Sequence, residues 1–264
     1  MKRNMEMKSF GEEFKMKVIL SFFLLLALCK INAFGNGDST RVEKKPAKSK
    51  STLNVRLHNM GQFMFSGRII SPNPALDFFY QYDRKKWGAV FFKAFDLYDH
   101  NTSNNFGLAM LRKNFSIGKR LTITPQAGFI FEQSHSFADK GTDVSAFIIN
   151  TYKVSNNFSI EYTAVFFNLV LATDERDWVN RLRLLYSKNH WDVTLSAWHN
   201  NKLIDHDNSQ YFSSGFNVFY SRVKISDHLL MSAGVTGLMM AGTNSPNEYP
   251  KKNGVFFTVA GFFH

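Results

Sequence analysis

Charged side chains at alternate positions are the feature of this sequence most able to do chemistry. Arg181 and Arg183 stand two apart, as do Arg56 and His58. Spacing by two puts such a pair on one face of an extended strand, because successive side chains alternate sides. Asp77, Lys93, Arg112 and Glu161 occur in other alternating segments. If all are assigned to the face away from lipid, then Arg56, His58, Asp77, Lys93, Arg112, Glu161, Arg181 and Arg183 converge on one interior. Glu161 lies in the segment before the two arginines and is placed to pair with one of them across a ladder. Two readings follow. A basic constriction would select anionic or polar solutes, as charged rings do in pores. Alternatively, the same residues pair off as salt bridges and plug a narrow interior.

Other chemistry finds little support. Ser196 and His199 are three apart, so they point to opposite faces of a strand and make a poor hydrolase pair. Asp205-His206-Asp207 reads as a solvated loop before it reads as a metal site. No HExxH, no CxxC and no phosphate-cradling glycine loop is present, so neither metal nor cofactor is expected. The single cysteine, Cys29, lies in an apolar leader, which leaves no thiol chemistry to the mature chain. Net charge is +11 overall, but from Ser51 onward 21 Lys/Arg face 16 Asp/Glu, leaving +5. A nucleic-acid partner would want its basic residues clustered on one folded face, and none is expected here.

The elements that position these residues follow from the order of the chain. Met16-Lys17 precedes the apolar run Val18–Cys29, with small residues at Ala33 and Gly35, so residues 1–35 read as a signal peptide with an upstream extension. Cys29 as a lipid anchor is the alternative, opposed by Leu28 where a small residue is wanted. Residues 36–51 read as a disordered polar tail. From Thr52 to His264 the hydropathy alternates. Short polar turns at 118–120, 155–157, 188–190 and 226–228 recur every 33 to 38 residues, with longer polar loops between them. That is the length of two membrane strands plus one long loop. Twelve strands are expected, near 52–66, 76–82, 87–97, 105–116, 121–132, 143–153, 158–171, 178–187, 191–199, 210–224, 228–241 and 254–264. Ten is the alternative count, because the first two are the weakest. Pro125 conflicts with its strand, since it cannot donate to a ladder. Aromatic residues make up 16% of the chain, 28 of them Phe, while mean hydropathy is −0.22. These values disfavour a helical membrane protein and suit a barrel with lipid outside and polar groups inside. Trp87, Trp178 and Trp191 fall near strand ends, where an aromatic belt belongs.

The last segment, Gly254–His264, sets Val255, Phe257, Val259, Gly261 and Phe263 against Phe256, Thr258, Ala260, Phe262 and His264. So apolar an edge would aggregate unless it closed a cylinder by pairing with the first strand. This segment resembles the C-terminal strand signature of bacterial outer-membrane β-barrels, with its aromatic Phe263 one place early. The Phe- and Asn-rich composition is similar to that of Bacteroidota barrels. The resemblance implies an all-β fold: a transmembrane up-and-down antiparallel β-barrel in the outer membrane. It implies outer-membrane lipids around the wall and outer-membrane assembly machinery as a partner of the C-terminal strand. Twelve-stranded members of the class include nucleoside and acidic-oligosaccharide channels, phospholipases and lipid A deacylases. A small channel for polar or anionic solutes is the leading expectation; an occluded structural barrel and a lipid hydrolase are the alternatives.

Overall fold

The computed structural model describes residues 49–63, 67–98, 106–131, 142–170, 176–204, 209–247 and 249–263. The expected signal peptide, most of the polar tail, Asp205-His206-Asp207 and His264 lie outside the described residues. Fifteen strands are formed: β1 (Lys50–His58), β2 (Gly61–Phe63), β3 (Arg68–Ser71), β4 (Ala75–Arg84), β5 (Trp87–Asp96), β6 (Gly107–Lys113), β7 (Phe115–Ile117) and β8 (Leu121–Phe131), followed by β9 (Thr142–Lys153), β10 (Phe158–Phe166), β11 (Arg176–Lys188), β12 (Trp191–Ile204), β13 (Gln210–Ser226), β14 (Leu229–Thr243) and β15 (Gly254–Phe263).

Thirteen of them make one sheet. Around it the order is β1, β4, β5, β6, β8, β9, β10, β11, β12, β13, β14 and β15, with β7 continuing β6. The ring closes where β1 pairs antiparallel with β15, from Leu53↔Phe263 to His58↔Thr258. Among the described residues the wall therefore has twelve strands, each bonded to both neighbours, in a closed up-and-down antiparallel barrel. This closure satisfies every strand edge, as a bilayer demands.

Most boundaries lie within a residue or two of the sequence expectation, and three differ by more. The first strand ends at His58, eight residues early, and Gln62 and Phe63 belong to a separate hairpin, β2–β3. The strand expected over 158–171 leaves the ladder after Phe166, and β12 runs on to Ile204. Pro125 is accommodated because its missing N–H coincides with a gap in the opposite strand. Asn114 separates β6 from β7 there, and the register is the same on both sides, Arg112↔Gln126 and Phe115↔Ile123. Thr124 Oγ1 donates to Asn114 Oδ1 at 2.8 Å across the gap.

Both ends of the barrel wall lie with the short turns, among them Lys85-Lys86, Gly118–Arg120 and Asn189-His190; the long connections lie at the other end. Gly118 has φ +62 and no neighbour within 4 Å of a Cβ there, a tight-turn position that suits glycine. Alternation fixes the faces. Leu57, Phe91, Leu111, Leu182, Leu195, Phe216 and Phe257 are exposed on the outside. A continuous apolar exterior of this kind belongs in lipid, not in water. Trp87 and Trp191 sit on this outer face at the short-turn end, and Trp178 sits on it at the other. Lys113 Nζ lies 4.8 Å from the Trp87 ring, and Trp178 stacks on Phe166 at 5.9 Å.

The interior has two levels. Toward the long loops, Phe92, Phe106, Leu108, Met110, Ile130, Phe147, Val165, Val179, Trp198, Leu238 and Phe256 form one buried apolar cluster. Toward the short turns the inward positions are mostly polar or charged, with Ile149 and Phe219 among them. Close packing of the wall leaves no room at Gly128: a Cβ there would lie 2.0 Å from the Ala109 carbonyl oxygen across the β6–β8 pairing. Gly261, by contrast, has nothing nearer than 3.5 Å. Gly128→Ala should therefore abolish the heat-modifiable folded band on cold gel electrophoresis, while Gly261→Ala should keep it.

Candidate functional site

The inward charges form three networks, each tied by the ladder register; the first lies level with the apolar cluster, with Asp77 opposite Ala94 and His58 edge-on to Phe256. In the first, Arg56 stands directly opposite Asp77. Arg56 Nε donates to Asp77 Oδ1 at 2.7 Å and Nη2 to Oδ2 at 3.0 Å. His58 lies two residues on, on the same face, with Nε2 2.9 Å from Asp77 Oδ2 and Nδ1 2.7 Å from Thr258 Oγ1. The β1–β15 closure thus carries a side-chain bond as well as its ladder.

In the second network, Arg112 Nη2 reaches both Asp83 oxygens at 2.7 Å, and Gln81 Nε2 donates to Asp83 Oδ2 at 2.7 Å. The third is centred on Glu161, directly opposite Arg183. Arg183 Nε donates to Oε1 at 2.9 Å and Nη2 to Oε2 at 2.7 Å. Arg181 Nη2 donates to the same Oε1 at 3.1 Å and to Thr163 Oγ1 at 3.2 Å. Two guanidiniums therefore share one carboxylate. Forked pairing of this kind suits Arg better than Lys, whose ammonium is a point charge.

The structure thus brings Arg56, His58, Asp77, Arg112, Glu161, Arg181 and Arg183 together inside the barrel. All but Glu161 line a single lumen cavity of 360 Å³, and Glu161 is hydrogen-bonded to two of its lining residues. Lys93 is the exception and is corrected. On β5 the inward positions are Val90, Phe92 and Ala94, which are buried in the apolar cluster. Lys93 alternates with them, so it lies on the outer face with its Nζ 5.4 Å from the Phe95 ring. A lysine on a lipid-side face covers its stem with aromatic surface in this way. The sequence reading missed two partners. Asp83 falls just beyond the strand expected over 76–82, although it shares parity with Asp77 and Gln81, and Thr258 carries no signal beyond its inward parity.

The long-loop mouth holds a second feature that the sequence did not reveal. The β2–β3 hairpin folds inward across it. On one side Ser71 Oγ donates to Asp96 Oδ2 at 2.6 Å, and the Tyr98 backbone N–H donates to Asp96 Oδ1 at 2.9 Å. On the other side the Arg68 guanidinium lies 4.9 Å from the Tyr249 ring and 5.6 Å from Tyr211. Ile69 joins the apolar cluster from above. Gly67 has φ +65, and a Cβ there would lie 2.3 Å from the Trp198 ring, so only glycine lets the strap settle this low.

No protein-family model matches this chain, and no curated protein sequence does. Among solved structures it is similar to the NanC porin, at 12% identity and TM-score 0.53, covering 80% of this chain and 99% of that one. It is also similar to the KdgM porin, at 7% identity and TM-score 0.50, covering 81% of this chain and 98% of that one. A further structure of KdgM, in complex with disordered oligogalacturonate, matches at 8% identity with the same TM-score of 0.50. At these identities the likeness shows the fold: a closed antiparallel barrel of the outer-membrane porin type.

The sharing of Glu161 makes a stability prediction. Glu161→Gln leaves the buried Arg181 guanidinium facing the partly exposed Arg183 with no carboxylate between them. Breaking a buried pair from one side costs about 3–5 kcal/mol. Urea unfolding of the refolded barrel should show a loss of that order, and Glu161→Gln combined with Arg181→Gln should recover much of it.

Proposed function

We propose that the chain is an outer-membrane channel for small polar or anionic solutes, with Arg56, Arg112, Arg181 and Arg183 as its lumen cations. The observation that carries this reading is the third network, where two arginines share Glu161 around an open cavity. Among the described residues on these networks, four guanidiniums face three carboxylates. These three networks therefore carry one more positive than negative charge. The solved porins of the same fold, one of them holding an oligogalacturonate, support a transport role for such a lumen.

The apolar cluster and the strap favour a second reading, an occluded barrel whose resting lumen does not conduct. The two readings differ in what happens when the strap is released. In the transport reading the hairpin moves aside for passage, and Arg68 and Asp96 hold it shut. In the structural reading the hairpin is part of a permanent plug.

Two measurements in planar bilayers test the proposal. Arg68→Ala combined with Asp96→Ala should raise conductance well above that of the unaltered barrel; unchanged silence in a folded, inserted double variant selects the plug. Open channels should prefer anions, and Arg181→Gln with Arg183→Gln should lower that preference by about tenfold, or about 1.4 kcal/mol. An unchanged reversal potential in that variant rejects the arginines as the filter.

A further inference from the structure

The cavity walls are not alike, and the difference bears on what the lumen takes. Along β4, β5, β6 and β9 the lining includes the apolar Phe79, Val90, Leu108, Phe147 and Ile149, with Asp77, Arg112 and Gln126 of β4, β6 and β8 among them. β11 carries Arg181 and Arg183, and in a ring of twelve it lies six strands from β4, across the barrel from Phe79. Beside these arginines stand two more donors. Ser196 is directly opposite Arg183 in the ladder, and Trp198 is directly opposite Arg181. Ser196 Oγ and Trp198 Nε1 are buried and have no hydrogen-bond partner among the described residues. Both residues line the cavity. An unmade hydrogen bond at a buried donor costs about 1–3 kcal/mol, so two of them side by side point to an acceptor that completes the site.

We propose that the cavity binds an amphipathic carboxylate: a small anion whose carboxylate sits among Arg183, Arg181, Ser196 and Trp198. Its flat or branched apolar body lies against Phe79, Val90, Phe147 and Ile149. This rests on the channel reading and narrows its solute class. The chemistry is that of a donor cluster on β11 and β12 sharing one cavity with an apolar patch, where Arg112 is already committed to Asp83. Those hydroxyls of a polyhydroxylated acid that lie against Val90, Leu108, Phe147 and Ile149 would lose their hydration there, at the cost that burying an unpaired polar group carries. An apolar body meets no such cost there and releases water from the wall. The apolar cluster just above the cavity extends the same surface toward the strap, so hydrated inorganic ions meet a dewetting barrier where an apolar body does not.

The test is equilibrium binding to the full-length mature barrel in lipid nanodiscs. It uses three probes of similar size: phenylacetate, gluconate and benzyl alcohol. Phenylacetate should bind at least about tenfold tighter than either of the others. Arg183→Gln should remove most of that affinity, and Trp198→Phe, which keeps the ring and deletes the N–H, should lower it severalfold. Ile149→Asn should raise gluconate relative to phenylacetate. Retention of the folded gel mobility in each variant confirms that the comparison is between intact barrels. Gluconate binding as tightly as phenylacetate overturns the amphipathic class and leaves an anion channel standing. Benzyl alcohol binding as tightly as phenylacetate, with Arg183→Gln silent, overturns the carboxylate seat; cation-preferring conductance in the same preparation would overturn the channel reading too.

Discussion

Backbone hydrogen bonding in a solvent that offers none is the constraint on which this molecule depends. Each strand edge inside a bilayer must be paired, and a sheet meets that demand only by closing. The β1–β15 pairing does so, which explains why the last segment can be apolar on its outer face and yet lie at the end of the wall. It also explains the handling of Pro125. A proline inside a wall strand would strand an acceptor in lipid, and here the opposite strand opens at Asn114 while the register is kept.

Closure creates an interior, and the interior has to be filled or charged. This barrel does both at different depths. Its long-loop half packs aromatic and aliphatic side chains from nearly every strand, with Ile69 of the strap completing the layer. Its short-turn half carries guanidiniums and carboxylates, and there the desolvation of each charge is offset by forked pairing at 2.7–3.1 Å. A buried arginine without a carboxylate would be too costly to keep, so the networks are a condition of the fold before they are a filter. The asymmetry at Glu161, where one acceptor serves two donors, is the point at which stability is given up and a functional account is needed.

The strap draws on the same economy of contacts. Three small features hold it: a hydroxyl on Asp96, a guanidinium against two tyrosines, and a glycine that lets the backbone rest on Trp198. Ile69 adds one apolar anchor in the layer below, so the hairpin is fastened by a single buried aliphatic side chain and by contacts that can be exchanged for water. The layer beneath it is of the opposite kind, dense and dry.

Much of the architecture was legible from alternation alone. Period-two hydropathy set the strand count and the end at which short turns gather, because a strand side chain has only two directions available. The pairing of Glu161 with the arginines was legible for the same reason, being a contact between adjacent strands. Lys93 was misassigned because charge was taken to mean inward. On β5 the parity of Val90 and Phe92 outweighs it, and aromatic neighbours shelter the amine. Asp83, Thr258 and the strap were not legible, since each depends on contacts across the sheet or across the mouth. The sequence by itself determined that the chain would be a barrel with a charged interior, because lipid allows an alternating chain few other folds. Only the tertiary structure decided that β1 and β4 would be joined by an inward hairpin, and that the arginines of β11 would share a cavity with Phe79 and Val90. Those relations join residues on different strands, and neither spacing nor composition along one strand records what stands across the lumen.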